Sequence, residues 1–192
     1  FIEIRMFRKL FKRLPGEALS VLDIGGGSGW LLDSVKLADS RVAETWIVDI
    51  DAGAKAVAES RGHNFFCGRI EDFYNVIRFD LIVVLNLLEH VADPQALIRK
   101  LSDLVKPSGL VLVKTPNIDT LDRYIFQKHN WGGLHCPRHW TLFNKQSFIS
   151  LIQNNGFEVV SFWYTQGAHQ WTASIIGWLA DRGLVKITAE KP

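Results

Sequence analysis

Two cysteines in 192 residues, Cys67 and Cys136, are too few and too separated for a disulfide framework or a multi-cysteine metal site, and they fit a reducing compartment. Apolar runs of the roughly 20 residues needed to span a bilayer are missing, and so is a secretory signal. The expectation is a cytoplasmic chain without a transmembrane segment. Charge of one sign is missing too: 22 Lys and Arg stand against 20 Asp and Glu, a formal net charge of +2. So weak a field points to no nucleic-acid partner. There is no internal repeat and no low-complexity segment. What is present is a chain that is 47% hydrophobic and 22% charged. That is enough for one well-filled core and too little for two comfortable domains, so residues 1–192 are read as a single domain.

Apolar positions at helical spacing (Ile4, Phe7, Leu10, Phe11, Leu14), with basic residues between them, predict an N-terminal amphipathic helix within residues 1–15, closed by Pro15-Gly16. Such a helix caps a sheet edge more often than it touches phosphate or lipid. Strand-like runs follow at Ala18–Ile24, Thr45–Val48, Asn64–Phe66, Phe79–Leu85, Leu110–Lys114 and Glu158–Tyr164. Helical patterns lie between several of them, at Trp30–Leu37, Ala52–Arg61, Pro94–Val105 and Lys145–Asn155. Strand and helix in alternation imply a doubly wound, mostly parallel α/β sheet with helices on both faces. Ligands of such sheets bind beyond the carboxyl ends of the strands, so the chemistry is expected in the loops that follow them.

One of those loops is glycine-rich. In "VLDIGGGSGW", residues 21–30, a strand ends in Asp23-Ile24, and Gly25, Gly27 and Gly29 form the turn into a helix that begins at Trp30. Glycine allows positive φ and leaves no Cβ between ligand and backbone. The dinucleotide fingerprint G-x-G-x-x-G would need glycine at position 30, where Trp30 stands, which argues for a cofactor without a pyrophosphate. The next strand also ends in a carboxylate, Asp49, placed to accept hydrogen bonds from both hydroxyls of a ribose. Asp51 is the better N-cap for the helix beyond it. Loop and carboxylate together point to an adenosine-type ligand.

These residues resemble the class I S-adenosylmethionine-dependent methyltransferases. "VLDIGGGSG" is similar to their first motif and "IVDID" to their second. Residues 79–117 resemble the subgroup that includes the ubiquinone-biosynthesis O-methyltransferases. Residues 137–160 are similar to the C-terminal half of small-molecule and glycolipid-precursor methyltransferases. The resemblance covers residues 18–165 in one order. It implies the Rossmann-like fold and S-adenosylmethionine as cofactor, with Asp23, Gly25, Gly27 and Gly29 under its methionine end and Asp49 on the ribose. It also implies Ile50, Ile70 and Glu71 around the adenine, and Asn86 and Leu87 near the methyl group. Asn86 replaces an acidic residue of the ubiquinone-type branch, which weakens the case for a carboxylate metal site there.

Methyl transfer needs an aligned acceptor and an exclusion of water, and a hydroxyl acceptor benefits from a general base. The candidates are His90, His135 and His139. His90 follows Glu89 and can equally fix its loop. His135 and His139 lie in "HNWGGLHCPRHW", part of a long connection at 115–143 read as a substrate lid with Trp131, Arg138 and Trp140. His129, His135, Cys136 and His139 are the candidate metal ligands, but Pro137 disfavours the helical geometry that would align His135 with His139, so no metal is expected. Trp171, Ile175, Trp178 and Leu179 in residues 169–184 are spaced for a helix that packs on the protein or meets a lipid-like acceptor or a second copy of the chain. The expected function is methylation of a small-molecule hydroxyl, lipid-linked or sugar-containing acceptors included; a homo-oligomer is compatible with it. A non-catalytic member of the fold that binds cofactor or partner is the alternative, and a nicotinamide oxidoreductase is disfavoured by Trp30.

Overall fold

Every residue from Leu19 to Ile24 is buried, as a strand covered on both faces requires. This is β1 (Leu19–Ile24), the centre of the sheet in a computed structural model that describes residues 2–74, 77–126, 130–135, 137–165 and 168–186. Around it lie β2 (Val42–Asp49), β3 (Asn64–Cys67), β4 (Phe79–Leu85) and β5 (Val105–Lys114), in the order β3-β2-β1-β4-β5, with every pairing parallel. β4 is fully buried up to its last residue, as its unbroken apolar run FDLIVVL demands.

The helices in this part are α1 (Ile2–Phe11), α2 (Trp30–Ala38), α3 (Ala52–Ser60) and α4 (Pro94–Leu104). Right-handed crossovers put α2 and α3 on one face and α4 on the other, because strand order reverses between β1 and β4. The core agrees. Phe7, Phe11 and Leu14 join Leu31, Leu32 and Val35 of α2 and Ala54 and Ala58 of α3 in one cluster against the sheet. The N-terminal helix therefore buries its apolar stripe on α2. Its C-terminal end is closed by Arg41, whose guanidinium donates to the carbonyls of Phe11, Leu14 and Gly16 while it pairs with Asp39.

The chain divides into two compact units, Phe1–Leu88 with Asp93–Lys114, and Glu89–Ala92 with Thr115–Pro192. The second unit contains α5 (Leu121–Phe126), α6 (Lys145–Asn154) and α7 (Ala168–Asp181). Asn144 and Ser147 form a reciprocal capping box that starts α6. Trp131 is buried and donates its indole N–H to Asp122 of α5 at 3.0 Å, while the amide of Gly132 donates to Ser174 of α7. The segment expected as a lid is thus clamped to two helices of its own unit, and Trp131 is one of the clamps.

One expected element is absent. Residues Glu158–Tyr164 join no strand among the described residues, and their exposure does not alternate: Val159 and Phe162 are half-buried and the other five are exposed. Phe162 packs its ring on Phe148 of α6, while Val160 and Tyr164 face solvent. The segment is anchored by side-chain packing on a helix and not by a ladder of main-chain bonds.

Candidate functional site

Parallel register aligns the strand ends. Ile24 is level with Val48 and Val84, and Asp49 with Cys67, so Gly25, Asp49 and Asn86 leave the sheet at one edge. Gly25 (φ 77°), Gly27 (φ 52°) and Gly29 (φ 82°) all adopt the left-handed conformation, which explains the glycines at these three positions. The amide of Gly27 donates to Oδ2 of Asp49 at 2.8 Å, and the amide of Asp51 donates to Oδ1 of Asp49 at 2.9 Å. Asp49 therefore closes the glycine loop as well as ending β2. A carboxylate oxygen has two lone pairs, so each oxygen keeps one for a ribose hydroxyl. Asp51 caps α3, as expected, by accepting from the amide of Gly53.

The other cofactor candidates differ in what they offer. A Cβ on Gly27 would meet nothing within 4 Å, so bare backbone faces open space there, whereas one on Gly25 would rest on Leu87. Ile50 is 76% exposed beside Asp49, an apolar surface suited to an aromatic ring. Ile70 turns its side chain into the core and can offer a ligand only its main chain, and Glu71 pairs with Arg69. Asn86 is exposed at φ 52°, a strained conformation that the bond from its amide to the carbonyl of Lys114 helps to hold. Asp23 is buried beneath the loop, and its Oδ2 has no hydrogen-bond partner among the described residues. Burial, with the charge of Asp49 second, pushes its carboxyl up to about 7.

Behind the loop lies a group that the sequence did not reveal. The ring of His63 is buried, with Nδ1 2.9 Å from Thr45 Oγ1 on β2 and Nε2 3.1 Å from Asp33 Oδ1 on α2. Asp33 can only accept there as a carboxylate, so Nε2 carries the proton and Nδ1 accepts from Thr45. Burial, and then the charge of Lys36, holds this imidazole below its ordinary value. A lone histidine between a helix and a strand carries no signal of such a role.

In the second unit the structure does bring together the three histidines expected from sequence. Ring centroids are 4.8 Å apart for His90 and His139, 5.0 Å for His135 and His139, and 6.4 Å for His90 and His135. Nδ1 of His90 donates to the carbonyl of Arg138 at 2.9 Å, and Nδ1 of His139 donates to that of Gly133 at 2.8 Å. A carbonyl can only accept, so both rings are fixed with the lone pair on Nε2. Burial, followed by neighbouring charges, holds His135 and His139 below the usual histidine value, which keeps them neutral at pH 7. Glu89 joins the group. One ligating atom from each of Glu89, His90 and His139 lies within 4.8 Å of the other two. The sequence-based candidate ligands are a different set, His129, His135, Cys136 and His139, of which His129 and Cys136 lie outside the described residues.

The family whose description reads "Methyltransferase domain" matches residues 3–162. The chain belongs to the class I S-adenosylmethionine-dependent methyltransferases. A mitochondrial ubiquinone biosynthesis O-methyltransferase from Dictyostelium discoideum is 30% identical to it over 157 residues, 65% of this chain and 48% of that protein. The methyltransferase chain spans about half the length of the curated relatives it matches. Among solved structures, the plantazolicin methyltransferase BpumL, in complex with a pentazolic desmethylPZN analogue and SAH, superposes with a TM-score of 0.61 at 20% identity, covering 79% of this chain and 60% of that one. Coclaurine N-methyltransferase, bound to N-methylheliamine and SAH, gives 0.65 at 22% identity, with coverage of 94% and 57%. Both share the fold of this methyltransferase. Among the described residues no helix is long and apolar enough to cross a membrane.

Proposed function

We propose that this methyltransferase domain transfers a methyl group to a hydroxyl of a small-molecule acceptor. The observation that carries the reading is the glycine loop at the carboxyl edge of the sheet, closed by Asp49 and open at Gly27. S-adenosylmethionine, when bound, supplies a methyl group activated by its sulfonium. Asp49 would hold the ribose, Ile50 would cover the adenine, and bare backbone at Gly25 and Gly27 would admit the methionine end. A histidine, His135 or His139 with His90 beside them, would take the proton of the acceptor hydroxyl. The fixed Nε2 lone pair of His139 and the exposed position of His135 suit that task. Lipid-linked acceptors fall within the proposal because the O-methyltransferase relatives are named for ubiquinone biosynthesis, and sugar-containing acceptors are hydroxyl compounds that the same screen includes.

Calorimetric titration with SAH tests the cofactor half. Asp49→Ala should weaken binding by about 1.5–3 kcal/mol, the scale for hydrogen bonds to a charged group. Binding of NAD in place of SAH by the wild type would end the reading. Acceptors are found by screening hydroxyl compounds with radiolabelled S-adenosylmethionine. With one in hand, His135→Gln or His139→Gln should lower turnover by roughly 100-fold and leave SAH affinity unchanged. Full turnover in both variants would remove the histidines from catalysis.

A further inference from the structure

On the reading above, in which the glycine loop receives the cofactor, we propose that His63 is a positioning residue for cofactor binding: wedged between β2 and α2, its ring fixes Gly29 and with it the shape of the loop that Asp49 holds at Gly27. The ring lies so close to Gly29 that a Cβ there would stand 2.5 Å from its Cδ2 and 3.1 Å from its Nε2. Only bare backbone fits against it. Gly29 in turn joins loop to helix. Its amide donates to the carbonyl of Gly26 at 3.1 Å, which closes the loop on itself, and its carbonyl accepts from the amide of Asp33 at 3.2 Å, in the first turn of α2. The carboxylate of Asp33 then returns to the ring, 3.1 Å from Nε2. Gly29, Asp33 and His63 thus brace one another in a closed triangle of contacts.

The surroundings suit a ring that carries one proton. Its side chain is wholly buried, Thr45 beside it is buried too, and the amide of His63 donates to the carbonyl of Ala58 in α3 at 3.2 Å. Asp33 is shared, since its other oxygen pairs with Arg61, which follows α3. Lys36 of α2 donates to the carbonyl of Gly62, next to His63, at 2.9 Å. The charged groups that act on the ring are thus Asp33 and Lys36 from α2 and Arg61 from the end of α3, while β2 gives it Thr45 and Ile47, which do not titrate. A second proton on the ring would put an N–H against the Thr45 hydroxyl, whose own proton would then need another acceptor in a buried place. It would also set a cation beside those of Lys36 and Arg61. Burial and the charge of Lys36 oppose that proton and hold the imidazole below its ordinary value. The loop is therefore braced while the ring is neutral and loses its brace as pH falls through the folded value. Cofactor affinity should be lost in the same direction.

Calorimetric titration of the full chain with SAH from about pH 5 to pH 8 provides the test, each variant being measured where its urea curve shows it folded. His63→Ala should weaken SAH binding at about pH 7.5 by at least about tenfold, because the loop must then be ordered when the ligand binds. His63→Gln keeps an N–H for Asp33 and should bind within about threefold of the wild type at that pH. It cannot titrate, so it should lack the wild-type fall in affinity toward low pH: between about pH 7.5 and pH 5 the wild type should lose at least about threefold more than the variant. Asp23 titrates in both proteins, so their ratio isolates the ring. Wild-type affinity in folded His63→Ala would overturn the proposal, and so would parallel pH profiles of the wild type and His63→Gln. If His63→Ala does not fold, the His63→Gln profile decides alone. Asp49→Ala, titrated alongside, keeps the two readings apart. Weakened binding there with unaltered binding in the His63 variants overturns the positioning role alone, whereas unaltered binding in Asp49→Ala overturns the loop as cofactor site and the positioning role with it.

Discussion

Gly29→Ala is expected to destabilise the fold by about 2–5 kcal/mol, against about 1–2 kcal/mol for Gly27→Ala. Both glycines have positive φ, 82° and 52°, so any L side chain bears the left-handed conformation at either position. They differ in what lies next to them. A Cβ on Gly29 would stand 2.5 Å from Cδ2 of His63 and 3.0 Å from Ile47, whereas one on Gly27 would meet nothing within 4 Å. The His63 ring cannot step aside without giving up its bonds to Thr45 and Asp33, so the clash adds an overpacking cost to the backbone one. Urea unfolding of the two variants measures the difference. Equal losses at both positions would show that the ring does not buttress the loop.

Between about pH 4 and pH 7 the stability contributed by Asp23 should fall as pH rises, by about 1.4 kcal/mol per pH unit and about 4 kcal/mol in total. Its folded value of about 7 lies above the unfolded 3.8, first through burial and then through the charge of Asp49. In that window the native state holds a proton that the unfolded chain has already released, so raising the pH favours unfolding. Above the folded value both states are ionised and the slope vanishes. His63 works in the opposite sense: its folded value is depressed, so its contribution is lost as pH falls below the ordinary histidine range. Asp23→Asn separates the two, since an amide of the same shape cannot titrate. Unfolding free energies of wild type and variant, compared from about pH 5 to pH 8, should converge at the acid end with the variant ahead at the alkaline end. Parallel curves would refute the raised value.

How legible the chain was depended on whether the signal was local. β4 lies where its apolar run ends, at Phe79 and Leu85, and α2 begins at Trp30, directly after the last loop glycine. Asp51 was readable as an N-cap because a cap needs only its own next few residues. The first half of β5 was not readable: Lys106-Pro107-Ser108-Gly109 has the composition of a turn, and the ladder with β4 shifts register between Phe79 and Leu81 to accommodate it. A Cβ on Gly109 would come within 3.0 Å of the carbonyls of Phe79 and Asp80. Likewise the glycine loop and Asp49 could be paired from spacing along one βαβ unit. That Glu89 and His90 meet His139, or that His63 lies behind Gly29, depends on tertiary contacts between segments whose own sequences carry no trace of each other.

The bond from the Gly27 amide to Asp49 also bears on how a ligand is met. A run of glycines loses more conformational entropy on ordering than any other sequence, and fixing one residue's backbone costs about 1–2 kcal/mol. Here that ordering takes place when the protein folds, through a contact internal to the chain, so it is not subtracted again from the affinity for whatever docks on the loop. The most permissive stretch of the sequence is thereby a preorganised surface. It selects molecules by the fit of their contour to a shape already set, and does not mould itself to each in turn.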